Sequence, residues 1–211
     1  MPDWTTLLAF ALASTILIVV PGPTVALVVT RTLGAGRRAT VPLTLGVAGG
    51  DLVATTLSLA GVGALLAASA QLFTAVKWIG AAYLVYLAVR MWSAPVGLAV
   101  EHGPEPRGRA VGSAAILREA FVVTVLNPKG IVFFVAFVPQ FLATDRAYWP
   151  QALVFAGLFT LIGALNVVAY SLTADGLRRA AGRPGVLRAM SRAGAAAMGA
   201  AGIATLFARR A

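Results

Sequence analysis

From Thr5 to Thr30 the chain carries no charged side chain, and inside that stretch lies Leu17-Ile18-Val19-Val20-Pro21-Gly22-Pro23. An apolar run of this length is enough to cross the hydrocarbon core of a bilayer as a helix. Two prolines around a glycine should interrupt that helix: proline lacks a backbone donor and clashes with the preceding turn, and glycine loosens the chain. Backbone groups freed in this way persist at membrane depth only where they are buried in protein or line a wet cavity. The run therefore predicts a span, and the break inside it predicts a special environment.

The rest of the chain agrees with a membrane setting. Hydrophobic residues make up 59% and charged residues 11%, with a mean hydropathy of +0.87, too little polar surface for a soluble domain of this size. The expected fold is an all-α, polytopic membrane helix bundle rather than a barrel, with residues 1–211 as one transmembrane domain. Six apolar segments run roughly Trp4–Thr30, Ala39–Ser69, Gln71–Trp92, Leu117–Leu142, Tyr148–Thr173 and Ala193–Ala208. The division between the second and third rests on the polar step at Ser69 and Gln71. A five-span arrangement stays open if the last, alanine- and glycine-rich segment lies differently. Met1, Pro2, Asp3 and Trp4 supply no basic leader, so the first run is expected to be kept as a span.

A net charge of +10 would suggest nucleic acid in a soluble protein. Here the basic residues fall in alternate short loops, and topology accounts for them without a nucleic-acid partner. Arg31, Arg37 and Arg38 follow the first span. Arg90, Arg107, Arg109 and Arg118 follow the third, and Arg178, Arg179, Arg183, Arg188 and Arg192 the fifth. The intervening loops offer Arg146, with Lys77 some way along span three. The positive-inside rule places the basic loops in the cytoplasm and both termini outside, with Arg209 and Arg210 running against the pattern.

One long polar connector, Ser93 to Ala115, separates two sets of three spans (1–92 and 117–211, with 93–116 between them). An odd number of spans per half inserts the second half upside down, the arrangement of inverted repeats in secondary transporters. Pro21-Gly22-Pro23 in span one is echoed by Asn127-Pro128-Lys129-Gly130 in span four, each the first span of its half. Paired breaks favour discontinuous helices over packing kinks, and half-helix N-termini carry partial positive charge suited to a carboxylate.

Within the spans a few side chains stand out. Asp51 lies about 18 Å along span two at the helical rise, near mid-bilayer, where an ionised carboxylate costs at least roughly 2.5–3.5 kcal/mol. It reads as a cation, ammonium or proton site, or else as a structural partner for another helix. Lys129, directly after the second break, is too deep to snorkel easily and needs an internal partner, either Asp51 or a substrate carboxylate. Asn166 holds the place in the second half that Asp51 holds in the first, and can bond a ligand or a neighbouring helix. The stretch Gly46 to Gly50 before Asp51 is a small-residue face for close helix packing that also lets backbone approach a ligand. Lys77, near a helix end beside Trp78, can snorkel; Gln140 suits a helix cap; His102 sits alone in the polar loop. The candidate site is therefore Pro21, Gly22, Pro23, Gly50, Asp51, Asn127, Pro128, Lys129 and Asn166.

With no cysteine, one histidine and seven acids, thiolate and histidine-rich metal centres are disfavoured. No serine–histidine arrangement, phosphate loop or paired-carboxylate motif appears in the spans, so neither an enzyme nor a cofactor is expected.

The order of motifs resembles that of the LysE/RhtB family of amino-acid exporters. The resemblance rests on Pro21-Gly22-Pro23, on Gly36-Arg37-Arg38 leading to Gly46, Gly50 and Asp51, and on Lys77-Trp78-Ile79-Gly80-Ala81-Ala82-Tyr83-Leu84. In the second half it rests on Asn127-Pro128-Lys129, Phe133-Phe134 and Pro139-Gln140-Phe141. Thr40 and Ala88 depart from it, standing where the family often has glycine, which concerns packing more than chemistry. The resemblance implies a bacterial inner-membrane exporter of amino acids or related metabolites, driven by the proton gradient, with the two breaks, Asp51 and Lys129 in the transport site. Joined to the residue reading, it gives a mechanism. The substrate ammonium faces Asp51, its carboxylate faces Lys129 or broken-helix amides, and a proton arriving from outside neutralises Asp51 and releases the substrate. Partners are then a small-molecule substrate, a proton and membrane lipid. Small-residue faces serve a homodimer as well as internal packing. Export of another solute such as a metal cation, or a non-transporting scaffold, are the other readings.

Overall fold

The computed structural model describes residues 2–19, 22–93, 111–143 and 145–173, together with scattered positions between 189 and 203. Val20, Pro21, most of the long connector with His102, the arginines at 107, 109, 178, 179, 183, 188, 209 and 210, and much of the last apolar segment lie outside the described residues.

Every described element is helical. α1 (Trp4–Val19) starts behind Asp3, whose carboxylate accepts the Thr6 amide at 2.8 Å and the Thr6 hydroxyl at 3.0 Å, as an N-cap should. The amide bond, then the hydroxyl bond, holds the Asp3 carboxyl below its ordinary range. α2 (Pro23–Ala35) follows after the interruption at Gly22 and leads through a 3-10 turn, Gly36–Ala39, into α3 (Thr40–Ala68). The helical stretch from Pro23 to Ala68 is 46 residues long, about 69 Å if straight and more than twice the bilayer core. It is not one span. Gly36, with φ 66° and ψ −155°, turns the chain where Arg37 and Arg38 follow, a conformation that L side chains rarely adopt.

α4 (Ala70–Ser93), α5 (Ser113–Val125), the short α6 (Pro128–Val132) and α7 (Tyr148–Leu172) complete the described helices. Three further stretches, 70–90, 113–141 and 148–172, are long and apolar enough to cross a membrane. The second to fifth expected segments thus recur as helical stretches with boundaries moved by a few residues, while the first is divided between α1 and α2. Arg31, Arg90 and Arg118, read as loop residues, lie inside α2, α4 and α5. Span four is less regular than expected, passing from α6 into a π-helical turn, Phe133–Phe137, and a 3-10 turn, Val138–Phe141. Pro139 supplies one reason, since it has no amide to continue an α-helical ladder.

A lipid-facing surface is read directly from α1, where Trp4, Leu8, Leu12 and Ile16 are exposed at four-residue spacing while Phe10, Ser14 and Leu17 turn inward. Inside, α3 packs tightly on α5. A methyl group at Gly46 would collide with the Leu117 carbonyl, and one at Gly50 would stand 2.9 Å from the Phe121 carbonyl oxygen. Two apolar clusters result. One gathers Phe10, Phe133, Phe134, Phe137, Phe155 and Phe159, with ring centroids of Phe10 and Phe155 4.7 Å apart. The other gathers Val28, Leu43, Val47, Ile116, Ala120 and Val167. The described C-terminal positions lie against α4: Gly202 approaches Ala81, and Arg192 stacks over Trp92 at 5.5 Å, a cation–π contact.

Candidate functional site

The site starts from the end of α1. Its last carbonyls lose their helical partners at the break and are answered from distant parts of the chain. The Lys129 ammonium donates to the Leu17 carbonyl at 2.9 Å, and the Tyr170 hydroxyl donates to the Val19 carbonyl at 3.1 Å. A cation at a helix C-terminus is favoured by the helix dipole as well as by the bond. Lys129 is only 9% exposed, so this carbonyl is part of what makes its depth tolerable. On the other side of the break Gly22 opens α2 with no side-chain cap, and Pro23 occupies the first turn, where its missing amide costs nothing. A methyl group on Gly22 would lie 3.2 Å from Lys129 Nζ, tight enough that the ammonium would have to give by a few tenths of an ångström.

The second break is made differently. Asn127 caps α6 with its own side chain, whose oxygen accepts the Lys129 amide at 3.1 Å. Its amide nitrogen donates across to the Thr24 hydroxyl at 3.1 Å, and Thr24 lies 3.4 Å from the Thr124 hydroxyl. The two breaks, about a hundred residues apart in sequence, are thereby laced together.

Where they meet, a cavity of about 50 Å³ opens between the two apolar clusters. α1, α2 and the second break contribute Leu17, Gly22, Thr24, Asn127 and Lys129; α3 contributes Val47, Asp51, Ala54 and Thr55; α7 contributes Phe159, Gly163, Asn166 and Val167. Among the described residues no side chain is hydrogen-bonded or ion-paired to the Asp51 carboxylate. α7 gives it room at Gly163, where a methyl group would collide with Asp51 Oδ2. Asn166 is one helical turn further along the same face of α7. The chemistry gathered here is one carboxylate, one ammonium, three threonine hydroxyls and two carboxamides, set against apolar walls.

Of the residues singled out in the sequence, Gly22, Asp51, Asn127, Lys129 and Asn166 line this cavity. Pro23 and Pro128 do not: both are exposed and neither is part of the cavity lining, so they shape the breaks without lining it. Gly50 is turned into the α3–α5 contact. Pro21 lies outside the described residues. Thr24, Thr55, Thr124, Phe159 and Gly163 line the cavity without having been foreseen; only Thr24, next to Pro23, carried a positional signal. Arg31 and Glu119 also pair, Nε to Oε2 at 2.7 Å, joining α2 to α5 away from the cavity lining.

The profile of the LysE type translocators matches residues 15–209, which takes in both breaks, Asp51, Lys129 and Asn166. The chain belongs to that family. An uncharacterized membrane protein of Vibrio cholerae is 34% identical over 185 residues, 88% of each chain. A homoserine/homoserine lactone efflux protein of Salmonella typhimurium is 28% identical over 187 residues, again 88% of each chain. A leucine efflux protein of an Enterobacter species is 35% identical over 127 residues, 60% of this chain and 58% of its own. No solved structure matches the chain significantly. As a LysE type translocator with several apolar helices, the chain is a multi-pass membrane protein of a transporter family.

Proposed function

We propose that this LysE type translocator exports amino acids or close derivatives across the bacterial inner membrane, in exchange for protons. One observation carries the reading: a single cavity, built where two helix breaks meet, contains one acid and one base among its described lining residues. That is the charge complement of a zwitterion. The substrate ammonium sits at Asp51, its carboxylate at Lys129 and the uncapped start of α2, where amides and helix dipole favour an anion. The relatives named for leucine and for homoserine efflux support the substrate class.

The arrangement also supports a coupled cycle. A proton reaching Asp51 from outside removes the charge that holds the ammonium, and the substrate leaves outward; loss of that proton to the cytoplasm restores the site. In the conformation described here the cavity has room for only a few water molecules, so a whole amino acid enters when the walls separate. The six-span topology with basic loops in the cytoplasm and two inverted halves completes the proposal. Each half then contributes one broken helix to the site, the construction used for midplane binding sites in secondary transporters.

The test is efflux from proteoliposomes preloaded with amino acids, with and without an imposed proton gradient. Asp51→Asn is expected to abolish acceleration by the gradient. Gradient-driven efflux that survives Asp51→Asn would remove Asp51 from the mechanism.

A further inference from the structure

We infer that the site selects amino acids with an uncharged side chain, and that Asn166 is the residue that sets this preference. The inference rests on the reading of the chain as an amino-acid exporter and names the substrate class of that same cavity. Among the described lining residues the formal charges are those of Asp51 and Lys129, so this lining is balanced at net zero. A zwitterion brings one charge of each sign and leaves the balance intact. A lysine or arginine substrate brings a second cation with no acid left to meet it. An unpaired charge in a low-dielectric, membrane-depth pocket is strongly disfavoured.

The place where a second acid would belong is visible. α3 and α7 face each other closely enough that Gly163 has no room for a methyl group beside the Asp51 carboxylate. Asn166, one turn on from Gly163, faces the same cavity and carries a carboxamide of nearly the same shape as a carboxylate. The remaining acid of α5, Glu119, is held by Arg31 at 2.7 Å and does not line the cavity. The apolar part of the lining includes Val25, Val28, Val47, Ala54, Phe159 and Val167, which welcomes apolar groups. The three threonine hydroxyls accommodate a substrate hydroxyl but not a bare cation.

The experiment compares efflux of leucine, threonine, lysine and arginine from proteoliposomes holding the parent protein or Asn166→Asp. The parent is expected to export the two neutral amino acids at least about tenfold faster than the two cationic ones, a modest fraction of what an unpaired charge costs at this depth. Asn166→Asp is expected to raise lysine export relative to leucine by about tenfold or more, an effect a structural role for Asn166 would not produce. Ala54→Asp, one turn from Asp51 on α3, is a second route to the same gain should Asn166→Asp fold poorly. Equal export of lysine and leucine by the parent overturns the inference and leaves amino-acid export standing. Absence of any amino-acid export overturns both. A well-folded Asn166→Asp and a well-folded Ala54→Asp that both keep the parent's preference overturn the assignment to cavity charge.

Discussion

The two helix breaks do the same topological job by opposite means. Each break starts its following helix with a backbone bond, Ala26 to the Gly22 carbonyl at 2.8 Å and Ile131 to the Asn127 carbonyl at 3.3 Å. The second is also capped locally, because Asn127 turns its own side chain onto the Lys129 amide. The first has no such cap. Its carbonyls depend on Lys129 and Tyr170, which arrive from other helices, and Gly22 leaves the start of α2 uncapped. A break closed by its neighbours in sequence holds its shape whatever enters the cavity. One closed by a cavity lysine would be exposed to competition under the proposed binding mode, in which a substrate carboxylate draws on the Lys129 ammonium and weakens its bond to Leu17. Under the proposed transport cycle, the first break is then the one expected to move and the second the one expected to anchor.

Substitutions at the breaks test this from the strongest effect downward. Lys129→Met removes both the cavity ammonium and the partner of the Leu17 carbonyl. Efflux is expected to fall by about 100-fold, or roughly 2.7 kcal/mol in the barrier, and thermal unfolding in detergent to shift down as a buried carbonyl loses its donor. Gly22→Ala crowds Lys129 Nζ without removing any polar group, and efflux is expected to fall by about tenfold, roughly 1.4 kcal/mol, with little change in stability. Asn127→Ala should show the reverse pattern. Losing a cap costs typically ~1 kcal/mol of stability, while efflux stays within a few-fold of the parent. Tyr170→Phe deletes one hydroxyl bond worth about 0.5–1.5 kcal/mol and should leave efflux within about twofold, since it touches the first break outside the cavity lining. Should Asn127→Ala damage transport more than Gly22→Ala, the division between a moving and an anchoring break is wrong.

How much of this was legible in the sequence follows from what each residue type announces by itself. Long apolar runs announce spans, which is why Thr40–Ala68 and Tyr148–Leu172 fall within a residue or two of the segments read from hydropathy. An acid or a base in such a run is conspicuous, so Asp51 and Lys129 stood out. Orientation was not legible. A helix apolar all round gives no periodic signal for which face is inward, so Pro23 and Pro128 were grouped with the cavity although they are exposed and do not line it. For the same reason Thr55, Thr124 and Gly163 could not be told from ordinary small and hydroxyl residues of a membrane helix, whereas Thr24 had only its place beside Pro23 to mark it. Gly50 was counted with the site because it adjoins Asp51, yet a helix turns by about 100° per residue, and that rotation puts it against α5. Arg31 and Glu119 were missed as a pair because their contact joins two segments far apart in the chain.

The central claim is that the cavity between the two breaks is where the substrate sits, and the lack of cysteine in the chain makes a direct measurement clean. With Ala54→Cys as the single thiol, its reaction rate with a small thiol reagent is followed in proteoliposomes as leucine is added. Substrate bound beside Asp51 is expected to slow labelling at least several-fold, at concentrations that half-saturate efflux, and to leave a thiol placed at lipid-facing Leu57 unaffected. Labelling at Ala54→Cys that ignores every amino acid the protein exports would contradict the account.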